Sequence, residues 1–227
     1  MPIGMSKNFI STSESKIYVE HNQLSIEEQE VKELGILFIP PHPQWKGAEN
    51  NVIMNELFYK LEKEYAVMKC VFRDYKSDLY QNKSDLPNIQ YVRDASLVVD
   101  YFFSKFNCIK HFTVIGYSWG CSVLLNLMMR RPEISNFIFI SPTLTLKSCD
   151  WTTYVSTFRT NGMIIHGTED QITNIKMVTK YVKFLESKKM TIDFKTIDGA
   201  DHYYKNHKTQ LSQIINDFIK NPKNYIF

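Results

Sequence analysis

The stretch "FTVIGYSWGCSVLLNLM" (residues 112–128) sets one serine, Ser118, between Gly116 and Gly120 in a chain that has only eight glycines. β-Branched and aromatic residues precede the serine and an unbroken apolar run follows it, so the turn joins a buried strand to a buried helix. One glycine would serve such a turn. Two of them around a serine imply that neighbouring backbone approaches it from both sides. A hydroxyl held there, at the positive end of the following helix, is a candidate nucleophile. The bland alternative is a serine that merely caps the helix.

A serine hydroxyl is a weak nucleophile until a base takes its proton, and a third group must orient that base. "MIIHGTEDQIT" places Asp170 just beyond one apolar run, and "FKTIDGADHYY" places His202 just beyond another. The chain order Ser118, Asp170, His202 suits a relay in which His202 takes the serine proton and Asp170 holds the imidazole. Asp150 is the alternative acid. Glu169 would point away if Asp170 points in, and Asp198 and Asp201 are too near His202 in sequence to orient it from behind. Among the other histidines, His166 falls inside a predicted strand and is expected in the core. His207 is expected on a helix surface, and His21 and His111 have no such context.

Acyl chemistry at Ser118 would also need two backbone N–H groups aimed at developing negative charge. Trp119, next after the serine, can give one. The loop "IPPHPQWKG" can give the other, and because Pro40, Pro41 and Pro43 lack an N–H, the donor there is His42 or Gln44. Trp45, Trp119, Trp151, Tyr117 and Tyr203 could form an aromatic wall for an apolar acyl group, or could be ordinary core.

The elements that would carry these residues alternate along the chain. Residues 35–43 form a short apolar run stopped by prolines. Residues 50–65 carry apolar side chains at 53, 57, 58 and 61, which is helical spacing. "AVMKCVFRDY" reads as a strand and residues 88–106 as a long amphipathic helix. "FTVIGYS", "NFIFISP", "GMIIHGTED" and "MTIDFKTI" are further strands, separated or followed by the helices "WGCSVLLNLMMRR", "NIKMVTKYVKFLESKK" and "QLSQIINDFIK". The early stretch "SKIYVEHNQLSI" adds one or two edge strands. This alternation predicts an α/β fold, a mostly parallel central sheet with helices on both faces. One domain is expected over residues 1–227, with residues 1–30 as edge strands or an extension. Residues 143–161 are too few for a large cap domain.

Composition narrows the function. Apolar residues make up 44% and charged residues 22%, and the net charge is only +3. No basic block with interleaved aromatics is present, so nucleic acid is not an expected partner. Cys70, Cys108, Cys121 and Cys149 are widely spaced, which suggests reduced thiols rather than a disulfide framework. The chain starts without a charged segment leading into an apolar one, and no apolar run is long enough to span a membrane. A soluble, cytoplasmic protein is expected. There is no HExxH, Cys/His spacing or carboxylate cluster for a metal, and no P-loop or GxGxxG for a nucleotide, so no cofactor is expected. Nothing in the pattern sets an oligomeric state.

These residues resemble the α/β-hydrolase superfamily over nearly the whole chain after residue 30. More narrowly, "PPHPQWKGAENN" is similar to the His-Pro-x-Pro-x-x-Gly-Gly-x-x-x-Asn loop of small, uncapped α/β-hydrolases and esterases. Pro40 stands where that loop has histidine and Lys46 where it has glycine. "FRDYKSD" aligns with a loop reading Phe-Arg-Gly-x-Gly-x-Ser, keeping Arg73 but replacing both glycines, with Asp74 and Lys76. The resemblance implies a triad of Ser118, Asp170 and His202, with the amides of Trp119 and His42 as oxyanion donors. It implies hydrolysis of an ester, thioester or similar acyl bond in a small-molecule substrate, without metal or cofactor. The competing readings are a non-catalytic scaffold on this fold and an acyltransferase or peptidase using the same triad.

Overall fold

The computed structural model describes residues 5–11, 16–25, 27–28, 32–43, 52–72, 89–144, 151 and 160–221. Eight strands form one sheet: β1 (Met5–Ser11), β2 (Lys16–Asn22), β3 (Leu34–Ile39), β4 (Ala66–Val71), β5 (His111–Tyr117), β6 (Asn136–Ile140), β7 (Asn161–Gly167) and β8 (Ile192–Ile197). The helices among the described residues are α1 (Val52–Leu61), α2 (Ile89–Lys105), α3 (Gly120–Met128), α4 (Ile175–Ser187) and α5 (Lys208–Lys220). The spatial order of strands is β1-β2-β4-β3-β5-β6-β7-β8. From β4 to β8 every neighbouring pair is parallel, while β1 and β2 form an antiparallel hairpin whose second strand pairs with β4.

The apolar runs become central strands because both of their faces are covered. Residues 35–39, 66–70, 112–117 and 136–140 are buried throughout, as the inner strands of a parallel sheet must be. Alternate side chains feed two separate cores. Leu37, Ile39, Val114, Phe137 and Ile164 pack under α2, α3 and α4. Ile36, Phe38, Ile115, Ile138 and Ile165 pack under α1 and α5 on the opposite face. The helical spacing follows the same logic: α4 buries Val178, Tyr181, Val182 and Leu185, and α5 buries Leu211, Ile215, Phe218 and Ile219. α3 is buried along its whole length, and its two polar side chains bond within the helix, the Ser122 hydroxyl to the Trp119 carbonyl and the Asn126 amide to the Ser122 carbonyl.

The stretch "SKIYVEHNQLSI" supplies one strand, β2, and β1 precedes it to complete a hairpin. Asn22, at its end, locks it to the body of the fold: its amide donates to the carbonyls of Glu62 and Tyr65 and accepts from the Val67 N–H. The Ile140-to-Asn161 connection leaves no room for a large cap domain. The four residues Gln44, Trp45, Cys149 and Asp150, and the 73–78 loop, lie outside the described residues.

Candidate active site

The turn between β5 and α3 answers why two glycines surround Ser118. Ser118 has φ 55°, in the left-handed region that L side chains enter only at a cost. A Cβ on Gly120 would lie 2.4 Å from the Pro40 carbonyl oxygen and 2.5 Å from that of Ile39. The start of α3 therefore rests directly on the end of β3, the segment leading to His42. A Cβ on Gly116 would lie 3.0 Å from Cys121 backbone atoms, so that glycine lets α3 fold back over β5. The Ser118 N–H is fixed by the Ile140 carbonyl at 2.8 Å.

β7 and β8 deliver the other two predicted residues to the same point. His202 Nε2 lies 2.9 Å from Ser118 Oγ, and His202 Nδ1 lies 2.7 Å from Asp170 Oδ2. All three side chains are buried. Asp170 Oδ1 accepts the N–H groups of Ile172 and Thr173 at 2.8 and 2.9 Å, so the carboxylate is aimed by its own turn. Burial opposes its ionisation. The His202 hydrogen bond, the Thr173 amide and the nearby His202 and His166 together outweigh burial and hold the carboxyl below its ordinary value. An ionised Asp170 places the imidazole proton on Nδ1 and leaves Nε2 as an acceptor for the serine hydroxyl.

The residues weighed as alternatives go elsewhere. Glu169 is exposed. Asp198 accepts from the Thr168 hydroxyl and Asp201 from the Lys205 N–H. His166 lies in the core within β7, and His207 stands at the residue before α5 without a side-chain bond to the helix end. His21 is buried, its ring edge-on to Phe106. His166 nevertheless touches the site: its Nε2 donates to the Thr173 carbonyl at 2.8 Å and stands 3.7 Å from Asp170 Oδ2.

The oxyanion candidates are adjacent. The His42 and Trp119 rings meet at 4.7 Å between centroids, and Tyr91 lies against both at 5.9 and 4.9 Å. Phe72 completes this cluster against Tyr91 and Trp119. The Trp119 N–H precedes the first turn of α3, where helix amides have no intrahelical acceptor.

Of the rings considered for an aromatic wall, Trp45 lies outside the described residues and the other four do not form one group. Trp119 is packed into that cluster, and Trp151 packs against Phe139 and Tyr181. Tyr117 belongs to the core on the other face of the sheet, and Tyr203, 50% exposed, stands edge-on to His202. The physical reason is volume: between parallel strands and their helices, large rings are the natural filling.

Two hydroxyls whose roles sequence reasoning missed meet the triad, those of Tyr117 and Thr143, and a third, that of Tyr204, stands one layer further out. The Tyr117 hydroxyl donates to the His202 backbone carbonyl at 2.8 Å. The Tyr204 hydroxyl is 2.8 Å from Ser141 Oγ, and Tyr204 itself is left-handed, with φ 49°. Thr143 Oγ1 is 3.1 Å from Ser118 Oγ. Burial, above all, pushes both tyrosines well above their ordinary value, so they act as neutral hydrogen-bonding groups. Single hydroxyls such as these carry no spacing pattern, and only proximity identifies them.

Among the described residues, no group of three or more His, Cys, Asp and Glu is placed to hold a metal, and no helix is long and apolar enough to cross a membrane.

No family model matches the chain. Over 187 residues it is 30% identical to the uncharacterized protein RP471 of Rickettsia prowazekii (strain Madrid E), covering 81% of this chain and 77% of that protein. Among solved structures it resembles ATU1826 of Agrobacterium tumefaciens, an α/β-hydrolase candidate of unknown function. That match has 27% identity and a TM-score of 0.79 over 96% of this chain and 97% of the other. XC6422 of Xanthomonas campestris, an α/β serine hydrolase without a lid, shares the fold at 14% identity. Its TM-score is 0.75 over 96% and 94% of the two chains.

Proposed function

The chain belongs to the α/β-hydrolase superfamily, in one family with RP471, and from this premise we propose that it is a serine hydrolase cleaving carboxylic ester or thioester bonds. The observation that carries the reading is the unbroken relay from Ser118 Oγ to His202 Nε2 and from Nδ1 to Asp170 Oδ2, at 2.9 and 2.7 Å, built on a left-handed serine.

In this mechanism His202 Nε2 takes the Ser118 proton as Oγ attacks the acyl carbon. The carbonyl oxygen gathers negative charge facing the amides of Trp119 and His42. His202 then protonates the departing alcohol or thiol. Water enters, gives its proton to His202 and attacks the acyl-enzyme, and His202 returns the proton to Ser118 as the acid leaves. Asp170 stays ionised throughout, holding the tautomer and stabilising the imidazolium. The fold's likeness to a serine hydrolase without a lid supports a site served by loops at the strand ends rather than by a cap.

Labelling with a fluorophosphonate probe tests the reading. Wild type should label, Ser118→Ala should not, and His202→Ala should label far more slowly, with a panel of acyl esters and thioesters then ranking substrates. Folded wild type that takes up no probe and hydrolyses none of the panel would overturn the proposal in favour of a non-catalytic scaffold.

A further inference from the structure

Thr143 lies in the turn after β6, only 3% exposed, and the one hydrogen-bond partner of its hydroxyl among the described residues is Ser118 Oγ at 3.1 Å. The direction of this bond follows from the groups behind it. Ionised Asp170 fixes the His202 proton on Nδ1, Nε2 therefore accepts, and the single Ser118 proton is directed there. Ser118 Oγ can only accept from Thr143, so the threonine is the donor.

The backbone is strained to place it. Ser141, two residues earlier, is a non-glycine residue with φ 44°. That conformation is held from two sides, by its N–H on the Ile165 carbonyl at 2.9 Å and by its hydroxyl against Tyr204 at 2.8 Å. A left-handed residue at a site, fastened this way, points to a geometric demand that ordinary backbone does not meet. Strand order gives the demand its chemical sense. His42 follows β3 on one side of β5, while Thr143 follows β6 on the other. The threonine thus addresses the nucleophile's own oxygen from the flank opposite His42.

We propose that Thr143 is a further catalytic residue, whose hydroxyl donates to Ser118 Oγ and stabilises the alkoxide character this oxygen acquires twice per turnover. This rests on the serine-hydrolase reading above. In acylation the Ser118 proton passes to His202 Nε2, the Oγ–acyl bond forms and the carbonyl π pair moves to its oxygen; that pair then re-forms the carbonyl as the bond to the alcohol or thiol breaks and the leaving group takes the proton from His202. In deacylation water's proton passes to His202 as its oxygen bonds to the acyl carbon, the Oγ–acyl bond then breaks to release the acid, and Oγ recovers the proton from His202. Thr143 keeps its own proton in both steps. Its donated bond is strongest while Oγ carries partial charge and weakest in the acyl-enzyme, where Oγ is an ester oxygen, so it acts on the barriers and not on substrate binding.

Thr143→Val keeps the volume and removes the donor, whereas Thr143→Ser keeps the donor and removes the methyl. Each is compared with wild type and Ser118→Ala for fluorophosphonate labelling rate and for burst and steady-state hydrolysis of p-nitrophenyl acetate, with melting temperatures alongside. Thr143→Val should lower the labelling rate and kcat about tenfold at unchanged KM, and Thr143→Ser should stay within about threefold of wild type. Labelling of Thr143→Val at the wild-type rate, or equal losses in Val and Ser, would overturn the role. If Val does not fold, Thr143→Ala against Thr143→Ser repeats the comparison. Wild type that neither labels nor hydrolyses the ester sinks the hydrolase reading itself, whereas Ser118-dependent labelling that ignores Thr143 sinks only this proposal.

Discussion

The two flanks of Ser118 are held differently. On the β6–β8 flank, directional bonds do the holding: Tyr117 to the His202 carbonyl, Ser141 to Tyr204, and Asp170 to the Ile172 and Thr173 amides. On the β3 flank, rings pack: His42, Phe72, Tyr91 and Trp119 meet edge to face. The difference matches the work proposed for each side. A proton relay needs each donor aimed at one lone pair, which hydrogen bonds specify. An oxyanion site built from main-chain amides needs the backbone held in place, which close packing can do with many side-chain choices.

If so, the largest loss should follow from reversing one bond direction on the first flank. Asp170→Asn keeps the shape but allows the amide to donate toward His202, favouring the wrong tautomer. We expect kcat for p-nitrophenyl acetate to fall by about 10⁴-fold at nearly constant KM. A loss below tenfold would mean that the carboxylate does not govern the imidazole.

The next test acts one layer further out. Tyr117→Phe leaves the ring in the core but strips the His202 carbonyl of its donor. A fall in kcat of about tenfold is expected, with about 1 kcal/mol less stability in urea. An unchanged kcat beside a lower stability would reduce the tyrosine to packing.

This division also explains what the sequence revealed. The meeting of Ser118, Asp170 and His202 was legible because each follows a strand end and their chain order is constrained by strand connectivity. The central strands were legible because burial on both faces leaves a continuous apolar run, as in residues 112–117. β1 was harder: Met5–Ser11 is a polar edge strand, and its pairing with β2 rather than its composition makes it one. Thr143 and Tyr204 were invisible for a related reason. A lone hydroxyl acquires meaning only from what the fold sets beside it, and the left-handed turns at Ser141 and Tyr204 use neither glycine nor asparagine as a signal.

The aromatic flank should forgive more. His42→Leu retains the main-chain amide and an apolar side chain against Trp119. Its kcat should fall by no more than about threefold, because the proposed donor is the backbone N–H. A hundredfold loss in the same ester assay would shift the role to the imidazole and erase the contrast between the flanks.

The smallest effect concerns the second histidine beside Asp170. Burial above all lowers the His166 pKa from its ordinary 6.5, and the added proton would sit on Nδ1, which is buried with no hydrogen-bond partner among the described residues. Above pH 6.5 the folded and unfolded chains both hold it neutral, so it contributes no pH dependence there. Below that, the unfolded chain takes a proton that the folded one refuses, and stability falls with a slope of up to about 1.4 kcal/mol per pH unit for this group. The loss ends only where folded His166 also protonates. His21, lowered first by burial as well, adds in the same direction, while the depressed Asp170 contributes a separate loss at lower pH, below its ordinary range. His166→Gln can still donate to the Thr173 carbonyl but cannot titrate. Urea unfolding from pH 7.5 to 5 should therefore show a shallower acid loss in the variant, by up to about 2 kcal/mol over that range. Parallel profiles would mean that folded His166 accepts its proton as readily as the unfolded chain, and that the directional flank tolerates a charge beside its carboxylate.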